Sequence, residues 1–316
     1  MNTFKKLGLT ALAGSLAVSS AVAGEMSVAG GASIGLKNTS KTATGKSWTM
    51  GNQLTFSGSG ELDNGLNVSL SMVIDQGDDT AIASGPFDSH SVTVSSDSLG
   101  KLVFSGEGGS SAQSAIDTTA AGDIWNNGSG FGSPKASEAG NNSMMYTLPS
   151  LMDDLSINVS VSPGSAGGGT ATAFAVSYSG VEGLSLDYGV GETNTIGSEA
   201  ETTTMKASYA IGSFTVAASN NEHAYDLGSQ NDEEIDSWKV SYTISDDMSV
   251  TYGTETIETE GSSVDEEAEK ISVSYTTGGV TLAATQYEFT GKGNSNTESS
   301  TTGDVERWAL SATFAF

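Results

Sequence analysis

The stretch VERWALSATFAF, residues 305–316, sets Trp308, Leu310, Ala312, Phe314 and Phe316 against Ala309, Ser311, Thr313 and Ala315. A period of two marks a strand with two unlike faces, here one apolar and one small or polar. No Gly, Pro or turn residue interrupts it before the last residue. An apolar strand at a free end invites edge pairing and aggregation unless a neighbour covers it. Lipid resolves the difficulty: the apolar row faces hydrocarbon, and pairing with the first strand closes a barrel that has no edge.

The rest of the chain repeats the pattern in about sixteen segments. Met26, Val28, Ala32, Ile34 and Leu36 open the series, followed by Leu54 and Phe56, then Leu66, Val68, Leu70, Met72 and Ile74. Between the second and third segments Asp63-Asn64-Gly65 is a compact hairpin signal. Val92 and Val94 precede Leu102 and Phe104, after which alternation stops from Gly108 to Asn142. It resumes at Met144, Tyr146 and Leu148 and continues through Val159, Phe174, Leu186, Met205, Val216, Trp238, Val250, Ile271 and Leu282 to the final strand. The connections fall into two classes in strict succession, seven short turns and eight longer polar loops. The loops lie around residues 38–46, 76–88, 108–142, 164–170, 193–202, 221–234, 257–267 and 291–302. Short turns on one rim and long loops on the other characterise an all-β, 16-stranded antiparallel transmembrane barrel of the outer membrane, with periplasmic turns and external loops. Sixteen is even, as closure with both chain ends on one rim requires. The apolar parity switches at Gln286 to Phe289, which a bulge or an interfacial aromatic girdle would explain.

Residues 1–23 read as a signal peptide: Lys5 and Lys6, an apolar run from Leu7 to Val18, and Ala21-Val22-Ala23 as the cleavage site. The expected exported domain is 24–316. Its 38 acidic residues outweigh 10 basic ones by 28, against a formal −26 for the whole chain. Such a balance excludes nucleic acid as a partner and favours cations. The chain has no Cys, hence no disulfide and no lipid-anchored Cys. No apolar run is long enough for a membrane helix after the signal.

An enzyme is not expected, since His90 and His223 sit in no zinc or nucleophile motif and read as loop or rim residues. Ca²⁺ at the acidic external clusters Asp75, Asp78 and Asp79, or Asp232 to Glu234, is a weaker reading without the spacing of a known calcium loop; no other cofactor is implied.

Parity also assigns the inward face. With Met205, Trp238, Ile271 and Trp308 outward, Lys206, Lys239, Lys270 and Arg307 point inward and would form a basic ladder on one wall of the lumen; four separately solvated side chains are the alternative. Glu107, Asp117, Asp123 and Glu138 lie on or beside the 108–142 insert. Folded inside, the insert would oppose carboxylates to the basic wall across a water-filled gap, and fixed charges of this kind set ion selectivity. All nine tyrosines fall at Tyr146 or later, and the outward faces of the first five strands offer only Phe56 and Phe104 as aromatics. A wall poor in aromatics suits contact with a neighbour. A homotrimer through strands one to five is therefore expected, with Gly30, Gly31 and Ala32 allowing close approach.

These features resemble the Gram-negative general porins, particularly the alphaproteobacterial type. The resemblance covers the whole exported chain and rests on the signal, the succession of turns and loops, GKLVFSG at residues 100–106 entering the insert, Met144 to Pro149 leaving it, and terminal Phe316. It implies a third loop folded into the lumen as the constriction (108–142), a trimer, and Phe316 as the signal read by the barrel-insertion machinery. Porins of this type commonly line the constriction with several arginines; Arg307 is the only one here, which tilts selectivity further towards cations. The expected function is a general diffusion porin, a passive water-filled channel for small hydrophilic solutes and ions. The alternatives are a substrate-specific outer-membrane channel and a secreted, adhesin-like β protein. Extraction separates the last from the others: a secreted sandwich is recovered without detergent, and a lipid-facing barrel requires it.

Overall fold

The computed structural model describes residues 25–40, 45–75, 88–116, 119–128, 131–164, 168–228, 230–294 and 304–316. The expected signal segment 1–23 and Gly24 lie outside them. The strands are β1 (Glu25–Thr39), β2 (Lys46–Glu61), β3 (Asn67–Asp75), β4 (Ser89–Ser96), β5 (Gly100–Glu107), β6 (Ser143–Thr147), β7 (Leu155–Ser162), β8 (Ala171–Tyr178), β9 (Leu184–Thr193), β10 (Ala200–Ile211), β11 (Phe214–Tyr225), β12 (Glu233–Ser245), β13 (Met248–Thr259), β14 (Glu266–Thr277), β15 (Val280–Thr290) and β16 (Val305–Ala315). Each pairs antiparallel with its sequence neighbours, and β1 pairs with β16, so the sheet closes on itself.

Period-two alternation then sorts the side chains. Met205, Tyr209, Trp238, Ile271 and Leu310 stand exposed on the outer wall. Buried residues collect on the inner faces of β6–β15 and on the 108–142 insert. The exterior is greasy and the interior polar, the inverse of a soluble sandwich.

Several boundaries differ from the sequence expectation. Strands of nine to eleven residues were expected; β2 has 16 and β12 has 13, whereas β6 has only 5. On the long-loop rim the strands outrun the apolar band, so three connections contract to residues 194–199, 226–232 and 260–265. These upper segments read as loop because their outward residues are charged. Leu66 and Leu148 fall in turns rather than strands, and Trp48, 75% exposed on β2, adds a third outward aromatic to the early wall. His90 and His223 belong to β4 and β11, and His223 is buried, its Nδ1 2.7 Å from Thr202 Oγ1. At 286–289 the β14 and β15 registers continue without a bulge. Tyr287 and Phe289 simply face the lumen, where the insert covers them.

The seam corrects the role given to the glycines. Gly30 N donates to Phe316 O at 2.7 Å and Phe316 N to Gly30 O at 3.0 Å. A Cβ on Gly30 would lie 2.6 Å from Phe316 Cε2, so this glycine makes room for the chain's own aromatic ring and not for a neighbour. Gly31, opposite Ala315, faces inward, which leaves Ala32 as the small outward residue. Gly30→Val should displace the Phe316 ring and cost about 1–3 kcal/mol. Gly31→Ala, whose Cβ meets only Phe314 O at 3.5 Å, should be near neutral. Heat-induced mobility shifts in gels read both.

Candidate functional site: the lumen and its insert

The insert has little regular structure, a single 3₁₀ turn at Ile124–Asn127. Backbone groups buried without a ladder must find side-chain partners, and the inner wall supplies them strand by strand. Ala112 N donates to Ser160 Oγ on β7 at 2.8 Å, Ala120 N to Ser219 Oγ on β11 at 2.8 Å, and Ala121 N to Ser237 Oγ on β12 at 2.9 Å. Trp125 N donates to Glu255 Oε2 on β13 at 2.8 Å, and Gly132 N to Glu266 Oε2 on β14. Buried Gln113 joins the two limbs of the insert to β10: its Nε2 donates to Thr204 Oγ1 at 2.7 Å and its Oε1 accepts from Ser137 N at 2.8 Å. Gly189 on β9 permits this approach, since a Cβ there would stand 2.8 Å from Ile116 Cδ1.

An apolar seat completes the docking. Ile124 and Phe289, both fully buried, pack with Ala121, Ala268 and Tyr287, flanked by Phe131, Val305 and Ala309. The Phe131 and Phe289 ring centroids are 4.9 Å apart, and the Arg307 guanidinium lies 5.7 Å from the Tyr287 centroid. Inward Ile235 and Ile257 are also fully buried.

All four expected basic residues are on inward positions. Lys239, Gly253, Lys270, Tyr287 and Arg307 are successive partners across β12–β16, so three cations share one row. Lys206 pairs with Ser219, one inward step off that row. The heads of Lys206, Lys270 and Arg307 reach the insert instead of standing across a gap from it. Lys206 Nζ donates to Thr119 O at 3.4 Å, Lys270 Nζ to Ala121 O, and Arg307 Nη1 to Asn127 O at 2.7 Å.

The acidic candidates are held by separate local partners. Glu107 lies 3.9 Å from His90 Nδ1, Asp123 accepts from Thr119 Oγ1 at 2.7 Å, and Glu138 accepts from Asn194 N at 3.0 Å; Asp117 lies outside the described residues. Of the calcium candidates, Asp78 and Asp79 are outside the described residues, Asp232 caps Tyr225 N at 2.8 Å, and Glu233 is 3.5 Å from Lys135. Among the described residues no three His, Asp or Glu side chains converge as a metal site. Glu255 and Glu266 went unnoticed in sequence, although the parity that turned the lysines inward turns them inward too.

The insert's hydrogen-bonding side-chain anchors lie on β6, where Ser143 Oγ donates to Gly140 O at 2.9 Å, on β7, on β10–β14 and on β16. The inner wall of β1–β5 carries a serine row, Ser27, Ser57, Ser71, Ser91 and Ser105, direct partners strand to strand, which meets the insert at Ser143. A closed barrel with a polar inner wall and an internal docked segment is a conduit through lipid.

A family profile described as Gram-negative porin matches residues 8–289. The chain belongs to the Gram-negative porin family. An anion-selective porin from Comamonas acidovorans shares the porin's fold with a TM-score of 0.68 at 15% identity, over 93% of this chain and 100% of that one. Salmonella typhi OmpF, in complex with daunomycin, aligns with a TM-score of 0.70 at 12% identity over 93% and 98%. The trimer form of Vibrio cholerae OmpT gives 0.63 at 14% identity over 93% and 100%. At these identities the likeness speaks for the fold alone. No curated protein matches the chain in sequence. As a porin, the protein is an outer-membrane channel, neither an enzyme nor a cofactor carrier.

Phe289→Ala removes a seat worth about 3–5 kcal/mol, and Glu255→Ala strands the Trp125 amide at about 1–3 kcal/mol. Both should leave the barrel folded and loosen the insert, read as larger and noisier single-channel conductance. Unchanged conductance in both would mean the insert is held elsewhere.

Proposed function

We propose that this porin is a general diffusion channel, a passive water-filled route for small hydrophilic solutes with a preference for cations. The observation that supports the reading is the division of the lumen: the insert, 108–142, is held on the side of β6–β16, where it would act as a constriction, and a neutral serine row runs along β1–β5. Hydroxyls offer hydrogen bonds to any polar solute and favour neither sign of charge, which supports breadth over a single substrate.

Cation preference then arises at the mouths. On the long-loop rim stand Glu199, Asp226, Asp232, Glu260, Asp265 and Asp304; the turn rim carries Asp63, Asp97, Asp153, Asp154, Glu182, Asp246 and Asp247. At the constriction, Lys206, Lys239, Lys270 and Arg307 on the wall and Glu107, Asp117, Asp123 and Glu138 on or beside the insert are proposed to shape the local field. Rim carboxylates raise the local cation concentration over a Debye length, about 30 Å at 0.01 M salt and 3 Å at 1 M.

The exported form begins after a cleaved signal of residues 1–23, and the β16 strand with Phe316 guides insertion by the barrel-assembly machinery. A homotrimer through β1–β5 is supported by an asymmetry of the outer wall. Outward carboxylates such as Glu201, Glu222, Glu258 and Glu288 recur on β9–β16, whereas among the described residues the outward positions of β1–β6 carry one, Glu107, turned beside His90 by the β4–β5 bulge. An apolar wall whose described charges are confined to Lys46 and Glu107 near the long-loop rim suits protein contact.

Reversal potentials in planar bilayers test the selectivity: K⁺ over Cl⁻ preference should be clear near 0.01–0.1 M salt and fade near 1 M, as screening requires. Anion preference at low salt would overturn it. Unheated gels should show a trimer band that heating converts to monomer.

A further inference from the structure

Beneath the outgoing limb of the insert lies a recess of about 180 Å³ between that limb and the wall of β7–β10. Four consecutive strands each turn one polar side chain into it: Asn158, Ser177, Asp187 and Lys206. The insert provides the other side with Ala112, Ala115 and Ile116. We propose that this recess is a transient binding site for small zwitterionic solutes with short side chains, α-amino acids in chemical class, on their way through the channel. The proposal rests on the diffusion-channel reading and names a solute class within it.

Charge pattern and size carry the argument. Ser177 pairs with Asp187 and Asp187 with Lys206, so a carboxylate and an ammonium sit on adjacent strands, about 5 Å apart in backbone spacing. A solute with one net charge is attracted by one of these groups and repelled by the other. A zwitterion satisfies both at once, its ammonium towards Asp187 and its carboxylate towards Lys206. Asn158 Oδ1 accepts from Thr147 Oγ1 at 2.7 Å, which fixes the amide with its N–H donors towards the recess. Ser177 adds a hydroxyl that donates or accepts. The apolar insert face suits a hydrocarbon side chain. The volume is roughly that of six liquid waters at ~30 Å³ each, the scale of a short amino acid and below the ~300 Å³ at which pockets for larger ligands begin.

The test is block of single-channel KCl current in planar bilayers by L-alanine, with ethylammonium, acetate and glycerol as controls. Alanine should block reversibly in the millimolar range, and the controls should not. In Asp187→Asn the block should weaken by about tenfold or more, the worth of one charge-assisted hydrogen bond. Ser177→Leu fills the recess without removing any hydrogen bond that holds the insert, and should abolish block while KCl conductance persists. Lys206 is a poorer probe because it also donates to Thr119 O. Equal block in the wild type and both variants, or block by ethylammonium as strong as by alanine, overturns the site and leaves the channel intact. Absence of any KCl conductance overturns the channel reading itself and the site with it.

Discussion

A backbone amide in hydrocarbon has no water to turn to, and each unsatisfied group costs several kcal/mol. That constraint explains the closure of β1 on β16 and, through it, everything inside. Once sixteen strands spend their backbone groups on one another, side chains alone remain to deal with the lumen. The insert enters that space with almost no ladder of its own. Ser160, Ser219, Ser237, Glu255 and Glu266 accept its amides, and Lys206, Lys270 and Arg307 donate to its carbonyls. The wall thus replaces the missing half of the insert's secondary structure, which is why so many small hydroxyl residues occupy inward positions.

The acidic excess is distributed by the same logic. Inward positions hold Lys37, Lys101, Lys206, Lys239, Lys270 and Arg307 against Glu61, Asp75, Asp187, Glu233, Glu255 and Glu266, close to balance. The surplus goes to the rims and to outward positions above the apolar band. There Glu222, Glu234 and Glu258 are direct partners, as are Glu269, Glu288 and Glu306. Like charges directly opposite are unfavourable. These are exposed, and at water's dielectric the cost of each pair at ~5 Å is under about 1 kcal/mol.

The barrel was legible in sequence because parity is a local property: Trp308 against Ala309, or Met205 against Lys206, declares two faces without knowledge of any partner. The docking of the insert was not. Ser219 as an anchor for Ala120 N depends on where a segment 99 positions away comes to rest, and serine on a polar face looks like ordinary lumen. Phe289 and Ile257 gave the one available signal. Apolar side chains on a face that should be wet require something to cover them, and the parity break at Tyr287 and Phe289 was that requirement showing through. Trp48 is hidden for a simpler reason: it lies beside the first loop, where Lys46 and Asn52 on the same outward face interrupt the apolar row of β2.

The basic row shows how holding and field share one set of side chains. Lys239, Lys270 and Arg307 recur on every second strand, so adjacent heads have backbone origins about 10 Å apart. At an effective dielectric near 20 each such pair repels by roughly 1.7 kcal/mol. Unopposed, that repulsion would splay the heads into the lumen. Carbonyl oxygens of Ala121 and Asn127 draw the Lys270 and Arg307 heads onto the insert, and charge-assisted hydrogen bonds of this kind contribute about 1.5–3 kcal/mol each. Buried Glu255 stands one inward position from Gly253, the residue between Lys239 and Lys270 in the row, and its Oε2 accepts the Trp125 amide, which pins the insert beside those two cations. A carbonyl turns a cation without neutralising it, so the charge of the row persists while its direction is fixed by the insert. The insert's position and the field of the row are therefore one mechanical unit: whatever shifts the insert also re-aims the charges that hold it.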